Sequence, residues 1–327
     1  PHLNEPKTFR VSGFCRKRQT PIREVRLPPN NVLSRRTPPY YKLQGMSVVR
    51  VKVPASTANL GPGFDCLGIA LQIYNWVTIR REASSQAEPM VAAASEAFFR
   101  STGERPFSFL CKIAGEVPRS RGLGSSVTVR LGVLHGLNEL SGSPLNRQEL
   151  FELCAELEGH PDNAAPAAFG GFTIARGAGY LQRYRVDREL AFALLIPDFE
   201  VSTREARGIL PKTLAFGDAV ASVSNACAIA GAFASRDYEN LAGCFGDRLH
   251  QPFREKLVPF LSSVIDAGVK AGALGGWLSG SGSSVACVTL GNAERVAGAM
   301  LAACGRPGAR AVTIRADNAG VRIYPRN

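Results

Sequence analysis

The amino-acid sequence predicts an α+β fold in which strand pairing is mixed but mainly antiparallel. Short segments of the first half alternate apolar and polar residues, as half-buried strands do. Segments with helical periodicity lie between and after these strands, but they form no regular series in which each strand is followed by a helix. No period of about 20 to 50 residues recurs, so a repeat architecture is excluded.

Residues 1–45 differ from the rest of the chain. They hold seven prolines, ten basic residues and two acids, and they show no sustained hydrophobic period. Because such a segment cannot bury enough apolar surface to offset its ordering entropy, we expect a disordered, basic, proline-rich extension. A transit peptide, an arm that binds nucleic acid and a mis-assigned upstream extension are all open, with Met46 as the natural start of the folded part.

Most of the net charge of +12 lies in this extension, which contributes +8. Residues 46–327 therefore carry the modest charge of an ordinary enzyme. They also show no basic stripe with interleaved aromatic residues, so no nucleic-acid partner is expected.

The eight cysteines are scattered and form no C-x-x-C pair, which excludes zinc-ribbon and thioredoxin-like sites. Isolated cysteines usually behave as small buried hydrophobes, so we expect unpaired thiols in a reducing compartment, with the cytoplasm as the location. The longest stretch without a charged residue, 271–293, is rich in glycine and serine. It is too turn-prone to span a bilayer, so no membrane-spanning helix and no membrane partner are expected.

The folded part begins with strands. Val49, Val51 and Val53 alternate with charged residues, as a half-buried strand requires, and this strand leads into a glycine-rich loop. A second strand continues through residues 77–79, and a third is predicted over residues 107–113 because aromatic and aliphatic residues alternate there with polar ones.

Helices follow. After Gly124, apolar residues recur at helical spacing until Gly142 and Pro144 end the pattern. Asn146, with Glu149 three residues later, is the signature of a capping box that opens a second helix. The later elements predicted from the pattern are a strand at 191–196, helices at 219–235 and 260–270, two strands around 279–284 and a hairpin over 310–324.

The strongest chemical signal is the segment Pro118-Arg-Ser-Arg-Gly122-Leu123-Gly124-Ser125-Ser126, which follows a strand and opens a helix. Glycines let the backbone approach an anion, and the unpaired N–H groups and positive dipole end of a new helix attract phosphate oxygens. A strand-to-helix turn with a serine cap is the alternative. No lysine follows a glycine in this chain, so a Walker P-loop is excluded.

Four segments together resemble the GHMP small-molecule kinase family and, within it, the homoserine kinases. They are the glycine-serine segment 118–126, the segment Pro54-Ala-Ser-Thr-Ala-Asn-Leu-Gly-Pro-Gly-Phe-Asp-Cys-Leu-Gly68, the segment Glu158-Gly-His-Pro-Asp-Asn-Ala-Ala-Pro166, and the glycine turn Leu278-Ser-Gly-Ser-Gly-Ser-Ser-Val285. The resemblance covers about residues 46–324. It implies ATP as the phosphate donor, bound by Pro118, Gly122, Leu123, Gly124, Ser125 and Ser126.

The resemblance also implies how the substrate is held. Asn59 and Asp65 suit a zwitterionic alcohol, because an amide donates and accepts while a carboxylate accepts from an ammonium group. The alternative is that both residues only stabilise a Gly-Pro-Gly turn. By position, Arg207 and Arg254 would bind the substrate carboxylate, for which the guanidinium fork is well suited.

The segment 158–166 carries the remaining implied roles. Glu158, together with Ser126, would bind Mg²⁺, which prefers oxygen ligands, and Glu156 is a rival ligand two residues away. Asn163 would contact the substrate hydroxyl. Because an amide cannot take a proton, this implies catalysis by positioning and charge stabilisation rather than by a general base. The alternative is that the segment merely ends a helix.

The fold implied by the resemblance is the GHMP kinase fold, with an S5-like N-terminal domain and a ferredoxin-like C-terminal domain. We expect the ATP-binding domain over residues 46–175 and the substrate domain over residues 176–308. Residues 309–327 are expected to form a C-terminal hairpin that returns to the N-terminal domain.

The resulting hypothesis is Mg-ATP-dependent phosphorylation of the L-homoserine hydroxyl, giving O-phospho-L-homoserine for threonine synthesis. Another GHMP kinase, or a catalytically inactive GHMP-fold protein that regulates by binding, is the alternative. The partner expected is the small-molecule substrate, with a homodimer left open.

Overall fold

The computed structural model describes residues 48–82, 88–177 and 179–326. The expected disordered extension, residues 1–45, lies outside these ranges. In the described part, the strands are β1 (Val48–Ala58), β2 (Leu67–Arg81), β3 (Phe109–Gly115), β4 (Phe172–Arg176), β5 (Tyr180–Tyr184), β6 (Ala191–Ile196), β7 (Gly275–Leu278), β8 (Val285–Thr289), β9 (Arg310–Ile314) and β10 (Arg322–Arg326). The helices are α1 (Pro89–Thr102), α2 (Ser125–Leu140), α3 (Arg147–Glu158), α4 (Ala164–Phe169), α5 (Thr203–Gly208), α6 (Phe216–Ser235), α7 (Gln251–Arg254), α8 (Leu261–Lys270) and α9 (Ala293–Cys304).

The strands form two antiparallel sheets. The first has the order β10-β1-β2-β4-β5, with β3 also paired to β2, and the second has the order β7-β8-β6-β9. Every pair described between these strands is antiparallel. Separate helices cover these sheets, so the predicted α+β class is confirmed.

Three apolar cores lie between the sheets and helices. The first core lies between the first sheet and helices α1 to α4, and the second joins the first sheet to the second and to α6. The third lies between the second sheet and helices α8 and α9. The register of β1 against β2 shifts between Pro54 and Ala55. On one side of this irregularity Val53 belongs to the first core, while Ala55 on the other belongs to the second, so the same strand contributes to both.

Local signals place the start of the two central helices. α2 begins directly after Gly124, and α3 begins after Asn146 as the capping-box signature predicts. The Asn146 side chain accepts from the backbone N–H of Gln148 and of Glu149, and the Glu149 carboxylate accepts from the Asn146 N–H at 2.7 Å. This reciprocal cap fixes the direction in which α3 leaves the turn.

The C-terminal hairpin predicted over residues 310–324 is wrong. β9 pairs with β6 of the second sheet, whereas β10 pairs with β1 of the first, with Val51 opposite Ile323. Both segments are strands as predicted, but a single sequence does not specify which sheet each strand joins. The boundary expected after residue 175 lies inside β4, which pairs with β5, so we propose that the second domain begins between β5 and β6.

Helix α6 departs from the expectation that no helix could cross a membrane. Among the described residues it is the one helix that is long and apolar enough to do so by length and composition, with 22% of that window buried. Phe216 is 86% exposed, and Val220 and Val223 are also exposed. Asp218 interrupts α6, so this helix is not the longest uncharged stretch of the sequence. Length and composition alone are weak evidence for a membrane span.

Candidate active site

The start of α2 forms an anion site. Gly124 precedes the helix in a left-handed conformation, with φ of 67°, and no side chain caps the first turn. The first N–H groups of α2 are therefore available to a ligand, and the positive end of the helix dipole lies at the same point. A Cβ atom at residue 124 would lie 2.3 Å from Ser56 Oγ, so glycine is required both by the backbone and by the space.

The turn between β7 and β8 contacts the loop that precedes α2. The Ser279 hydroxyl donates to the Gly122 carbonyl at 2.7 Å, and the Ser284 N–H donates to the Arg121 carbonyl at 3.2 Å. A Cβ atom at residue 122 would lie 2.0 Å from the Ser279 carbonyl oxygen. The close approach of two backbones explains why residue 122 is a glycine.

A cavity of about 300 Å³ opens in front of this helix start. Most of the residues predicted for the site line it: Asn59, Asp65, Gly122, Gly124, Ser125, Ser126, Glu158, Asn163, Arg207 and Arg254. Two predicted residues do not. Leu123 is fully buried in the second core, and Pro118 lies outside the lining, so their contribution is to the shape of the loop.

Glu158 lies at the end of α3 with both carboxylate oxygens engaged. The Ser126 hydroxyl donates to Oε2 at 3.0 Å, and Arg130 Nη1 lies 2.6 Å from Oε1 in an ion pair whose side chains are largely buried. The rival Glu156 is exposed and does not line the cavity. Arg130 supplies the countercharge that a carboxylate at a helix C-terminus needs.

A hydroxyl and a carboxylate in contact at a phosphate site suit Mg²⁺, which takes oxygen ligands and usually keeps water and phosphate oxygens as well. No group of three or more His, Cys, Asp or Glu side chains that could hold a metal occurs in the described ranges. Ser126 and Glu158 are therefore two candidate oxygen ligands and do not by themselves make a metal site.

Asn163 is held at the entrance of α4 by its neighbours. The Ser56 hydroxyl donates to its Oδ1 at 2.9 Å, and its own N–H donates to the Asp162 carboxylate at 2.9 Å. Asp162 is buried and also contacts His160 Nδ1 at 3.1 Å, which raises the pKa of that histidine. Asp162 and Asn163 both line the cavity, but the Asp162 carboxylate is engaged by His160 and by the Asn163 N–H.

Asn59 closes the loop that precedes β2. Its amide nitrogen donates to the Gly280 carbonyl at 3.0 Å, and its oxygen accepts from the Asp65 N–H at 3.1 Å. Asn59 and Asp65 both have positive φ, which these two residue types tolerate better than most. The turn-stabilising role considered for Asn59 is therefore present in the structure, beside its place in the cavity wall.

Asp65 and Arg207 face each other across the cavity. The Arg207 guanidinium donates to both carboxylate oxygens, at 2.6 and 3.1 Å, and both side chains are about one-third exposed. The sequence places these residues 142 positions apart and assigns them to opposite ends of a zwitterion. In the structure each group partners the other.

Arg254 is different because it is buried without a countercharge. Its Nε donates to the Ala206 carbonyl and its Nη1 to the Gly280 carbonyl, both at 3.0 Å, and the side chain is 2% exposed. No carboxylate lies within ion-pair distance of it in the described part of the chain. Burial, reinforced by the nearby Arg207, lowers the pKa of Arg254 to about 10.

Sequence reasoning missed two residues that touch the site. Arg130 reads as an ordinary charge on a helix, and the signal that could have found it is its spacing of four residues from Ser126, which puts both on one helix face. Ser56 reads as a strand residue, yet it supports both Gly124 and Asn163. Neither has a local pattern that indicates a functional contact.

Comparisons with known proteins agree with this geometry. Residues 89–171 match the family model for the N-terminal domain of GHMP kinases, and residues 229–306 match the model for their C-terminal domain. A crystal structure of homoserine kinase from Cytophaga hutchinsonii superposes with a TM-score of 0.78 at 25% identity, covering 86% of this chain and 98% of that one. A mevalonate kinase structure at 15% identity, with a TM-score of 0.63, shows the same fold.

Sequence relatives are closer. The homoserine kinase of Caldicellulosiruptor bescii is 39% identical over 256 residues, which cover 73% of this chain and 83% of the relative. That of Moorella thermoacetica is 36% identical over 277 residues, covering 80% of this chain and 94% of the relative. The chain therefore belongs to the homoserine kinases of the GHMP kinase family.

Proposed function

We propose that this enzyme transfers the γ-phosphate of ATP to the side-chain hydroxyl of L-homoserine, giving O-phospho-L-homoserine. The observation that carries the proposal is Arg254, a buried cation with neutral partners only, on the wall of the same cavity as the anion site of α2. A buried charge is costly unless an opposite charge joins it, so the cavity favours a ligand with a carboxylate.

The phosphates of ATP would lie at the start of α2. The N–H groups of Ser125 and Ser126 and the helix dipole favour negative charge there, and Gly122 and Gly124 allow the close approach. Ser126 and Glu158 would hold Mg²⁺, which, when bound, neutralises part of the phosphate charge. The N-terminal half of the chain is thus the nucleotide-binding part.

Asp65 and Arg207 would separate when the substrate enters. The ammonium group of homoserine replaces Arg207 at the Asp65 carboxylate, and the substrate carboxylate joins Arg207 and Arg254. The exchange replaces one charge pair by two, and the substrate carboxylate also gives the buried Arg254 its missing countercharge. Mevalonate has a carboxylate but no ammonium group, so its carboxylate could join Arg207 only by leaving Asp65 without a partner.

Positioning would supply the catalysis. The amide of Asn163, fixed by Ser56 and by the backbone contact to Asp162, directs the substrate hydroxyl toward the phosphate site. An amide takes no proton, and the Asp162 carboxylate is held by His160 and the Asn163 N–H. Phosphoryl transfer through a loose transition state needs alignment and charge stabilisation more than a base.

An assay of ADP release with homoserine, mevalonate and galactose tests the proposal. We expect turnover with homoserine to exceed that with the other two by at least about two orders of magnitude, because the unpaired Asp65 or Arg254 disfavours them. Faster turnover of another alcohol would assign a different GHMP kinase activity. ATP binding without turnover of any alcohol would indicate an inactive regulatory protein.

A further inference from the structure

We propose that His250 is a positioning residue, whose neutral imidazole orients Arg254 toward the substrate without cancelling its charge. The inference rests on the proposed function, in which Arg254 binds the substrate carboxylate. His250 is fully buried and does not line the cavity, so it acts through the arginine rather than by touching a ligand.

The contacts of the ring fix its protonation state. Nε2 lies 2.9 Å from the Gly61 carbonyl oxygen, which can only accept, so Nε2 carries a hydrogen. Nδ1 lies 3.3 Å from Arg254 Nη1, which can only donate, so Nδ1 is the acceptor. One nitrogen donates and the other accepts, which is the neutral tautomer with hydrogen on Nε2.

The backbone around the ring is also fixed. The buried carboxylate of Asp247 accepts from the N–H groups of Leu249, His250 and Gln251, at 2.7 to 3.0 Å, and so holds the turn that opens α7. Its Oδ2 also lies 3.4 Å from His250 Nε2. The carboxylate thus holds the histidine, and the histidine holds the arginine.

The choice of an imidazole has a physical reason. A carboxylate in place of Nδ1 would also hold the guanidinium, but it would neutralise Arg254 and weaken its attraction for a substrate carboxylate. A neutral acceptor fixes the direction of the guanidinium and leaves its charge for the ligand. The ring also stacks on Phe64, at 5.1 Å between centroids, and Phe64 lines the cavity within 5.4 Å of both arginines.

Two substitutions of His250 test the roles of the two ring nitrogens separately. His250→Asn keeps an oxygen acceptor near the position of Nδ1, whereas His250→Gln keeps an N–H donor near the position of Nε2. We expect His250→Gln to raise the KM for homoserine roughly 10- to 100-fold, the range for losing one hydrogen bond to a charged group, and His250→Asn to raise it about threefold or less. The KM for ATP should stay unchanged in both variants.

Equal increases in both variants, or a matching rise in the KM for ATP, would overturn the inference in favour of a purely structural role. Unchanged homoserine KM in His250→Gln would overturn it too. If the variants do not fold, imidazole ¹⁵N chemical shifts of the unmodified protein near pH 7 decide: a neutral ring with hydrogen on Nε2 supports the inference, and a cation or hydrogen on Nδ1 overturns it. This readout needs no turnover, so failure of the proposed function is seen separately, in the substrate assay.

Discussion

His135 should make the protein sensitive to mild acid. This residue lies on α2 in the centre of the first core, is 3% exposed, and its Nε2 has no hydrogen-bond partner. Burial lowers the pKa of His135 to about 3, with Arg147 adding to the effect. In the unfolded chain the ring takes up a proton as pH falls through its pKa of about 6.5. In the folded protein it stays neutral until the pH approaches 3.

The sign and size follow from proton linkage. Between pH 6.5 and 3 the unfolded state binds one more proton at His135 than the folded state does, so the free energy of unfolding falls as pH falls. The slope is about 1.4 kcal/mol per pH unit, which gives a loss of about 2 kcal/mol between pH 7 and pH 5. His250, whose pKa burial lowers to about 4, contributes in the same direction.

Replacing His135 with leucine removes this one contribution. We expect His135→Leu to be at least as stable as the unmodified protein at pH 7, because it also removes an unpaired buried nitrogen. Its loss of unfolding free energy from pH 7 to pH 5 should be smaller by about 2 kcal/mol. Urea unfolding at the two pH values measures both quantities, and all other titrating groups cancel in the comparison.

His160 offers a matched control. Its pKa is raised by the hydrogen bond to Asp162, so it stabilises the folded state below pH 6.5 and loses that contribution as pH rises through its folded pKa. His160→Gln should therefore not reduce the acid sensitivity. If His135→Leu loses as much stability between pH 7 and pH 5 as the unmodified protein, His135 is not neutral in the fold and the reasoning fails.

Three further changes test the site. Glu158→Gln should lower turnover by roughly two orders of magnitude or more while the melting temperature is retained, and full activity in Mg²⁺ would assign the metal to another acid. Asp65→Asn should lower kcat/KM for homoserine on the order of 10- to 100-fold. The ratio of kcat/KM for homoserine to kcat/KM for 4-hydroxybutyrate, which lacks the amine, should fall as well. An unchanged ratio would remove Asp65 from substrate recognition. Arg130→Met should lower the free energy of unfolding by about 1 to 3 kcal/mol, since the largely buried Glu158 loses its countercharge, and added Mg²⁺ with ATP should restore part of it. Arg130→Lys keeps the charge, so an equal loss in both Arg130 variants by urea unfolding would count against the ion-pair explanation.

The elements with local signals were predictable from the sequence. The capping box of α3 and the glycine before α2 specify where each helix begins, because these contacts are made within a few residues. The partners of β9 and β10 could not be predicted in this way. Both segments read as strands, but the strands with which they pair, β6 and β1, lie in different sheets, and only the packed fold decides between them.

The site shows the same difference between contacts within one motif and contacts between distant residues. Residues within one motif, such as Gly124 and Ser126, could be proposed for phosphate binding from the glycines and the helix start, once the companion segments favoured this over a serine-capped turn. The pairing of Asp65 with Arg207 was not predicted, because no periodicity relates positions 142 apart and the resemblance implied only that each binds the substrate. The acceptor role of His250 was out of reach, because it depends on which atom each ring nitrogen contacts.

Arg130, Arg207 and Arg254 show how the fold distributes charge around the site. Arg130 is paired with Glu158 and Arg207 with Asp65, so each of these carboxylates already has a countercharge before any ligand binds. Arg254 alone among them is held by neutral groups, two carbonyls and the imidazole of His250. An ion pair can exchange partners at little cost, but the number of ion pairs then stays the same. A buried unpaired cation gains a new ion pair, so binding of a substrate carboxylate is favoured most at Arg254. Arg207 and Asp65 then select for the amine, because Arg207 can join the substrate carboxylate without leaving Asp65 unpaired only if an ammonium group takes its place at Asp65.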